Sequence, residues 1–242
     1  MKKVICGIIG GVGPSASAQL YSLINAHTPA EKDQDHLRLI IDSHPQIPDR
    51  TQAILHGGES PEEALFESAQ ILKNAGADFI AIPCNTAHYF MPKVAQKAEI
   101  ELVNMIEETG KTILQHGFKK VGILSTSGTA KSKIYQQVLE KLGIITVIPD
   151  EIGIEKEMEA IYGKEGIKAS TKFEKSKKNK SLFVEVIDDL EEQGAEAIIM
   201  GCTEIPLCLE NNDSTLPLIN PTEILAKAII KRYQELREHR SL

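Results

Sequence analysis

Ala81-Ile-Pro-Cys-Asn-Thr-Ala-His88 closes an apolar run with a thiol and small polar residues. Far downstream, Ile199-Met-Gly-Cys-Thr-Glu-Ile205 does the same. Cys202 stands 118 positions after Cys84. Two other landmarks repeat at nearly this interval. Lys2-Lys-Val returns as Lys119-Lys-Val, 117 positions on, and Leu102-Val-Asn104 returns as Leu218-Ile-Asn220, 116 positions on. Three landmarks at one interval mark an internal duplication.

Each copy alternates short apolar runs with amphipathic stretches. In the first, strands are expected over 4–9, 37–41, 78–82 and 102–104, and helices over 15–26, 60–74, 91–98 and 107–116. Ser60-Pro-Glu-Glu63 has the form of a capping box. In the second, strands are expected over 119–124, 144–148 and 195–200, with the echo of the fourth near 218–220. Its helices fall over 132–142, 154–162, 182–193 and 224–240. The fold class is therefore α/β: two similar domains, each with a mainly parallel sheet of about four strands flanked by helices, related by internal pseudo-symmetry. The last helix is expected to return to the first copy. That gives a discontinuous domain of 1–105 plus 217–242 and a second of 106–216. Sites of parallel sheets lie at the carboxyl ends of strands. Both thiols fall at such ends, so one cleft between the domains is expected to hold them.

Bulk properties narrow the function. The 242 residues are 42% hydrophobic and 25% charged, enough for a substantial core, and the net charge of −7 points away from nucleic acid and anionic membranes. The N-terminal apolar run is too short for a signal segment, and no run reaches the length of a membrane span. Free thiols in a reducing cytoplasm follow for the four cysteines, and no ligand spacing suggests a metal. Cys6 and Cys208 read as small hydrophobes. The turn Gly10-Gly-Val-Gly-Pro14, Gly11 included, could bring backbone N–H groups to an anion, although it is no dinucleotide fingerprint.

A free thiol ionises near pH 8.5, so half ionisation at neutrality needs a shift of about 1.5 pKa units, roughly 2 kcal/mol. Hydrogen-bonding neighbours can supply much of it, and Asn85, Thr86 and Thr203 follow the two thiols directly. Two equivalent thiols suit a mirror-symmetric proton transfer, in which one removes a proton from one face of a carbon and the other returns one to the opposite face. His88 reads as structural, and Asn104 and Asn220 as weaker site candidates. Arg50 sits in a loop with two prolines, where it either meets an anion or pins the loop.

These segments, with Pro45-Gln-Ile-Pro-Asp-Arg-Thr51 and Ile161-Tyr-Gly-Lys-Glu-Gly-Ile-Lys168, resemble the aspartate racemase branch of the aspartate/glutamate racemase superfamily over essentially the whole chain. The resemblance implies a racemase without cofactor or metal, with Cys84 and Cys202 as acid and base, and commonly a homodimer. It implies that Arg50 holds a substrate carboxylate, with Lys168 near the site and Lys164 its rival. Asn85, Thr86 and Thr203 would surround the α-carboxylate and amino group, and Thr126 would line the same cleft. Glu204 separates the chain from typical glutamate racemases, which carry His there. Asn220 and Ser170 depart from the usual Asp and Gly.

The expected function is aspartate racemisation acting on a small-molecule amino acid. The alternatives are a glutamate or broad-specificity amino-acid racemase, a cysteine-dependent diacid isomerase such as a maleate isomerase, and a non-catalytic amino-acid-binding module.

Overall fold

The computed structural model describes residues 4–169 and 176–240. Lys2, Lys3, Ser170 and Lys175 lie outside the described residues.

The first repeat runs β1 (Cys6–Gly10), α1 (Pro14–His27), β2 (Leu39–Ser43), α2 (Arg50–Leu55), α3 (Glu62–Asn74), β3 (Phe79–Ala81), α4 (Met91–Ala98), β4 (Glu101–Leu102) and α5 (Met105–His116). The second runs β5 (Lys120–Ser125), α6 (Ser127–Ser132), α7 (Ile134–Lys141), β6 (Ile145–Val147), α8 (Glu151–Tyr162), α9 (Lys177–Glu192), β7 (Ala197–Gly201) and β8 (Leu218–Ile219). The closing helix is α10 (Pro221–His239). The two four-stranded sheets have orders β2-β1-β3-β4 and β6-β5-β7-β8, which are the same order in repeat terms. All pairings are parallel.

Parallel sheets are buried on both faces, which is why β1 and β7 read as unbroken apolar runs. On the first sheet, α3 and α4 cover one face, while α1 and α10 cover the other. On the second, α8 and α9 cover one face, and α5 and α7 the other. Two helices join the halves. Met105 of α5 enters the first core and Ile113 the second. Leu225 and Ile229 of α10 pack with Cys6 and Ile8, whereas Ile224 lies on the second core. Cys6 is thus a core residue, and burial drives its thiol pKa up.

Three expectations change. The helix expected over 132–142 starts earlier and breaks: Lys133 takes the left-handed conformation (φ 58°) between α6 and α7. Its first piece is a Ser/Gly/Thr/Ala run because α6 packs against α2. A Cβ on Gly128 would come within 2.7 Å of Thr51 Oγ1. At Ser60 the capping box does not form. Ser60 Oγ accepts from Glu62 N at 3.3 Å, but Glu63 turns to Lys97 Nζ at 3.1 Å. The helix expected from 182 begins at Lys177, where Ser176 Oγ accepts from Asn179 N at 3.3 Å.

Asn104 and Asn220 owe their repetition to capping. Asn104 Oδ1 accepts from Ile106 N (3.0 Å) and Glu107 N (3.3 Å). Asn220 Oδ1 accepts from Thr222 N (3.0 Å) and Glu223 N (3.4 Å). Asn104→Ala is expected to lower stability by about 1 kcal/mol, read as a lower urea midpoint at unchanged slope. No change in the midpoint would refute the cap's contribution.

Candidate active site

The site grows from the ends of β3 and β7, equivalent strands of the two sheets. Two residues past β3 comes Pro83, which has no N–H to continue a ladder, and then Cys84. Cys202 follows β7 directly. Cys84 and Cys202 are only 6% and 5% exposed. Thr203 Oγ1 donates to Pro83 O at 3.2 Å, so the residues beside the two thiols are tied across the halves.

Cys84 faces a cation. Arg50 opens α2, whose N-terminus is capped by Asp49 Oδ1 accepting from Gln52 N at 2.8 Å. Arg50 Nη1 donates to Ile47 O (3.2 Å) and Pro48 O (3.1 Å). Its Nε is buried and has no partner among the described residues. Burial opposes the guanidinium charge, but Cys84, Asp49 and Tyr162 outweigh it and raise the pKa. Behind Cys84, His88 Nδ1 lies 2.8 Å from Cys84 O, and its Nε2 accepts from Met105 N at 3.1 Å. That pair of bonds makes Nδ1 the donor and fixes the neutral ring as a strut between the thiol motif and α5.

Cys202 faces an anion. Its Sγ donates to Glu204 Oε2 at 3.0 Å, while Glu204 Oε1 is paired with Lys168 Nζ. Burial pushes the Cys202 thiol well up, the Glu204 charge adds to that, and Lys168 works against both. Burial would raise Glu204 too, but Lys168 and the bond from Cys202 outweigh it, so the carboxyl is held below its usual range. Burial likewise opposes the Lys168 charge. Glu204, both thiols and Tyr162 outweigh it and raise the pKa. The pair is ionised on both sides.

Hydroxyls and an amide fill the seam. Thr86 Oγ1 lies 3.1 Å from Thr126 Oγ1 and 2.8 Å from Thr129 Oγ1. Thr126 is also the N-cap of α6, accepting from Thr129 N at 3.2 Å. Tyr135 OH donates to Asn85 Oδ1 at 2.6 Å. At the rim, Tyr162 OH donates to Asp49 Oδ2 at 3.1 Å, linking the end of α8 to the start of α2.

The Asp/Glu/Hydantoin racemase family matches residues 9–229 of the chain. The chain belongs to this family. Among curated relatives, the broad specificity amino-acid racemase RacX of Bacillus subtilis (strain 168) is 28% identical over 231 residues, covering 94% of this chain and 97% of that one. Among solved structures, Picrophilus torridus aspartate racemase superposes with a TM-score of 0.81 at 33% identity, covering 96% of this chain and 94% of that one. An aspartate racemase homologue from Pyrococcus horikoshii OT3 gives 0.75 at 27% identity, with 97% and 100% covered. The protein is therefore a racemase, an isomerase with a small-molecule substrate, built on two parallel four-stranded sheets.

Within this racemase most of the residues singled out in the sequence come together. Cys84, Asn85, Thr86, Arg50, Thr126, Lys168, Cys202, Thr203 and Glu204 are joined by the contacts above. Lys168 is half-buried in the site, whereas Lys164 is exposed. Gly11 is the exception. Its N–H is taken by Ser17 Oγ at 3.0 Å, and at φ 89° its side is closed by the His44–Pro45 backbone. Gly11 thus shapes the turn, and Gly13 is the glycine at the site: a Cβ there would lie 2.9 Å from Glu204 Oε1. Thr129, Tyr135, Tyr162 and Asp49 escaped the sequence reading. Tyr162 and Asp49 lay inside segments already noticed, and only their chemistry was overlooked. Among the described residues no helix is long and apolar enough to cross a membrane.

Proposed function

We propose that this racemase interconverts L- and D-aspartate by two-base proton transfer at Cα, using Cys84 and Cys202. The supporting observation is the opposite environment of the two sulfurs. Cys84 lies against the Arg50 guanidinium, and Cys202 donates to the Glu204 carboxylate at 3.0 Å. Groups set in contrasting environments divide into base and acid. On this reading Cys84 takes the part of the base and Cys202 that of the acid. The Cα proton passes to Cys84 as the Cα–H electron pair moves toward the α-carboxylate. That pair then takes the Cys202 proton on the opposite face. Afterwards Cys84 carries the proton and Cys202 the charge, so the enzyme is set for the other enantiomer. Lys168 offsets the repulsion between a Cys202 thiolate and Glu204.

Asn85 and Thr86 supply donors for the α-carboxylate, where negative charge builds as the proton leaves, and Thr126 and Thr203 line the same seam. Arg50 Nε and Lys168 Nζ are the cations offered to a side-chain carboxylate. On the same reading the enzyme works as a cytoplasmic homodimer. Sedimentation as a monomer would overturn the dimer.

The test is L-aspartate in D₂O. The expected result is loss of optical rotation with one deuterium entering Cα per inversion. Unchanged rotation without deuterium uptake would overturn the reading. A broad-specificity racemase is the second reading, favoured because Arg50 spends Nη1 on carbonyls of its own loop. Alanine turned over within about tenfold of aspartate would replace the aspartate reading, because a pocket built around a charged partner discriminates more strongly.

A further inference from the structure

The thiol motif of the first half is held by a residue of the second that no sequence signal marks. Tyr135 of α7 is wholly buried and leads the described side chains of that class by volume. Its ring belongs to the second core, with Ile106, Ile123 and Leu139. Its hydroxyl leaves that core and donates to Asn85 Oδ1 at 2.6 Å. A buried tyrosine hydroxyl needs a partner, and here the partner is the residue after Cys84.

The bond decides which way the Asn85 amide points. With Oδ1 taken by Tyr135, Nδ2 occupies the other branch of the amide. Asn85 is 2% exposed, and this Nδ2 finds no acceptor among the described residues. Leaving a buried donor without a partner is costly, so native structures do so where something else completes the bond. The neighbours of Asn85 are Cys84 and Thr86, whose hydroxyl meets Thr126 and Thr129. The open donor therefore belongs to the seam where the α-carboxylate is placed in the reading above.

We propose that Tyr135 is a positioning residue that locks the Asn85 amide with Nδ2 toward the substrate's α-carboxylate. An amide flip would exchange that donor for a carbonyl oxygen facing an anion. Negative charge on the carboxylate grows as the Cα proton leaves, so the locked donor contributes more in the transition state than in the bound substrate. Tyr135 acts only through Asn85 and touches no reacting atom.

This inference rests on the racemase site proposed around Cys84. Wild-type turnover tests that site, and the ratio of variant to wild-type turnover tests the lock. Tyr135→Phe keeps the ring and removes the hydroxyl. It is expected to lower kcat about tenfold with KM nearly unchanged. In an Asn85→Ala background the same substitution is expected to cost nothing further. Unchanged kcat in Tyr135→Phe, or losses that multiply in the double variant, would overturn the lock. Asn85→Asp gives an answer that does not depend on how Tyr135→Phe folds. It keeps an acceptor for the Tyr135 hydroxyl and replaces Nδ2 with an oxygen. A kcat lowered about a hundredfold is expected, and wild-type kcat in Asn85→Asp would overturn the proposal.

Discussion

Cys84→Ala and Cys202→Ala are each expected to lower aspartate racemisation by about 10³-fold, the range for a positioned acid or base, while leaving different partial reactions behind. Cys202→Ala keeps the sulfur that faces Arg50. It can still take a proton from one face of Cα, but it has no thiol on the other face to complete inversion. Deuterium from D₂O then enters one enantiomer with its configuration retained. Cys84→Ala keeps the other sulfur and labels the opposite enantiomer. Proton NMR of pure L- and D-aspartate in D₂O reads both outcomes from the α-proton signal. Racemisation near wild-type rate in either variant, or both variants labelling the same enantiomer, would sink the two-base mechanism.

The residual exchange of Cys84→Ala is also expected to depend on pH. In Cys84→Ala the surviving base is Cys202, whose pKa is driven up by burial and by Glu204. It must lose a proton before it can accept one from Cα. Its exchange is therefore slower near neutrality and climbs as pH rises. Cys202→Ala instead leaves the sulfur that sits beside the Arg50 guanidinium. The fold alone does not dictate this asymmetry. It arises because the residue two positions after Cys202 is Glu204, while the equivalent place after Cys84 is Thr86.

Duplication made the architecture legible. A thiol at the end of one apolar run is weak information; two thiols at one interval, with matching landmarks, imply two like sheets and a shared seam. Asn104 and Asn220, the weaker site candidates, repeat for another reason. They repeat because each caps a helix, so a repeated polar residue need not belong to the site. Arg50 shows why a single sequence leaves roles open. Its guanidinium pins the Ile47 and Pro48 carbonyls and also borders Cys84, so pinning the loop is not all that the side chain does. Lys168 could not be separated from Lys164 by spacing. A turn decides between them: Lys168 N donates to Ile161 O at 3.1 Å and carries its side chain inward. Tyr135 was beyond reach for a different reason. On a helix an aromatic at apolar spacing signals core and nothing more. Its function depends on a hydroxyl meeting Asn85, 50 positions earlier.

Acid should weaken the protein through His88, and the expected size is large. The ring is buried, donates from Nδ1 to Cys84 O and accepts at Nε2 from Met105 N. A proton on Nε2 would break the second bond and place a charge in the core. Burial accordingly lowers its pKa from 6.5 to about 4, with the bond to Cys84 working the other way. In the unfolded chain the ring titrates near 6.5. Between these values the unfolded state binds a proton that the folded state refuses. Stability is complete above about pH 6.5, falls as pH drops, and stops falling through this group below about pH 4. The total is about 3 kcal/mol. Glu157 acts with the opposite sign. It is buried with its pKa well raised, so its folded form keeps a proton that the unfolded form loses as pH rises. The wild-type curve mixes both, and the difference between wild type and His88→Gln isolates the histidine. His88→Gln is expected to be less stable at pH 7 and to lose much less between pH 6.5 and 4, measured by urea midpoints across that range. Parallel curves for the two proteins would show that His88 is not the buried, neutral strut behind Cys84.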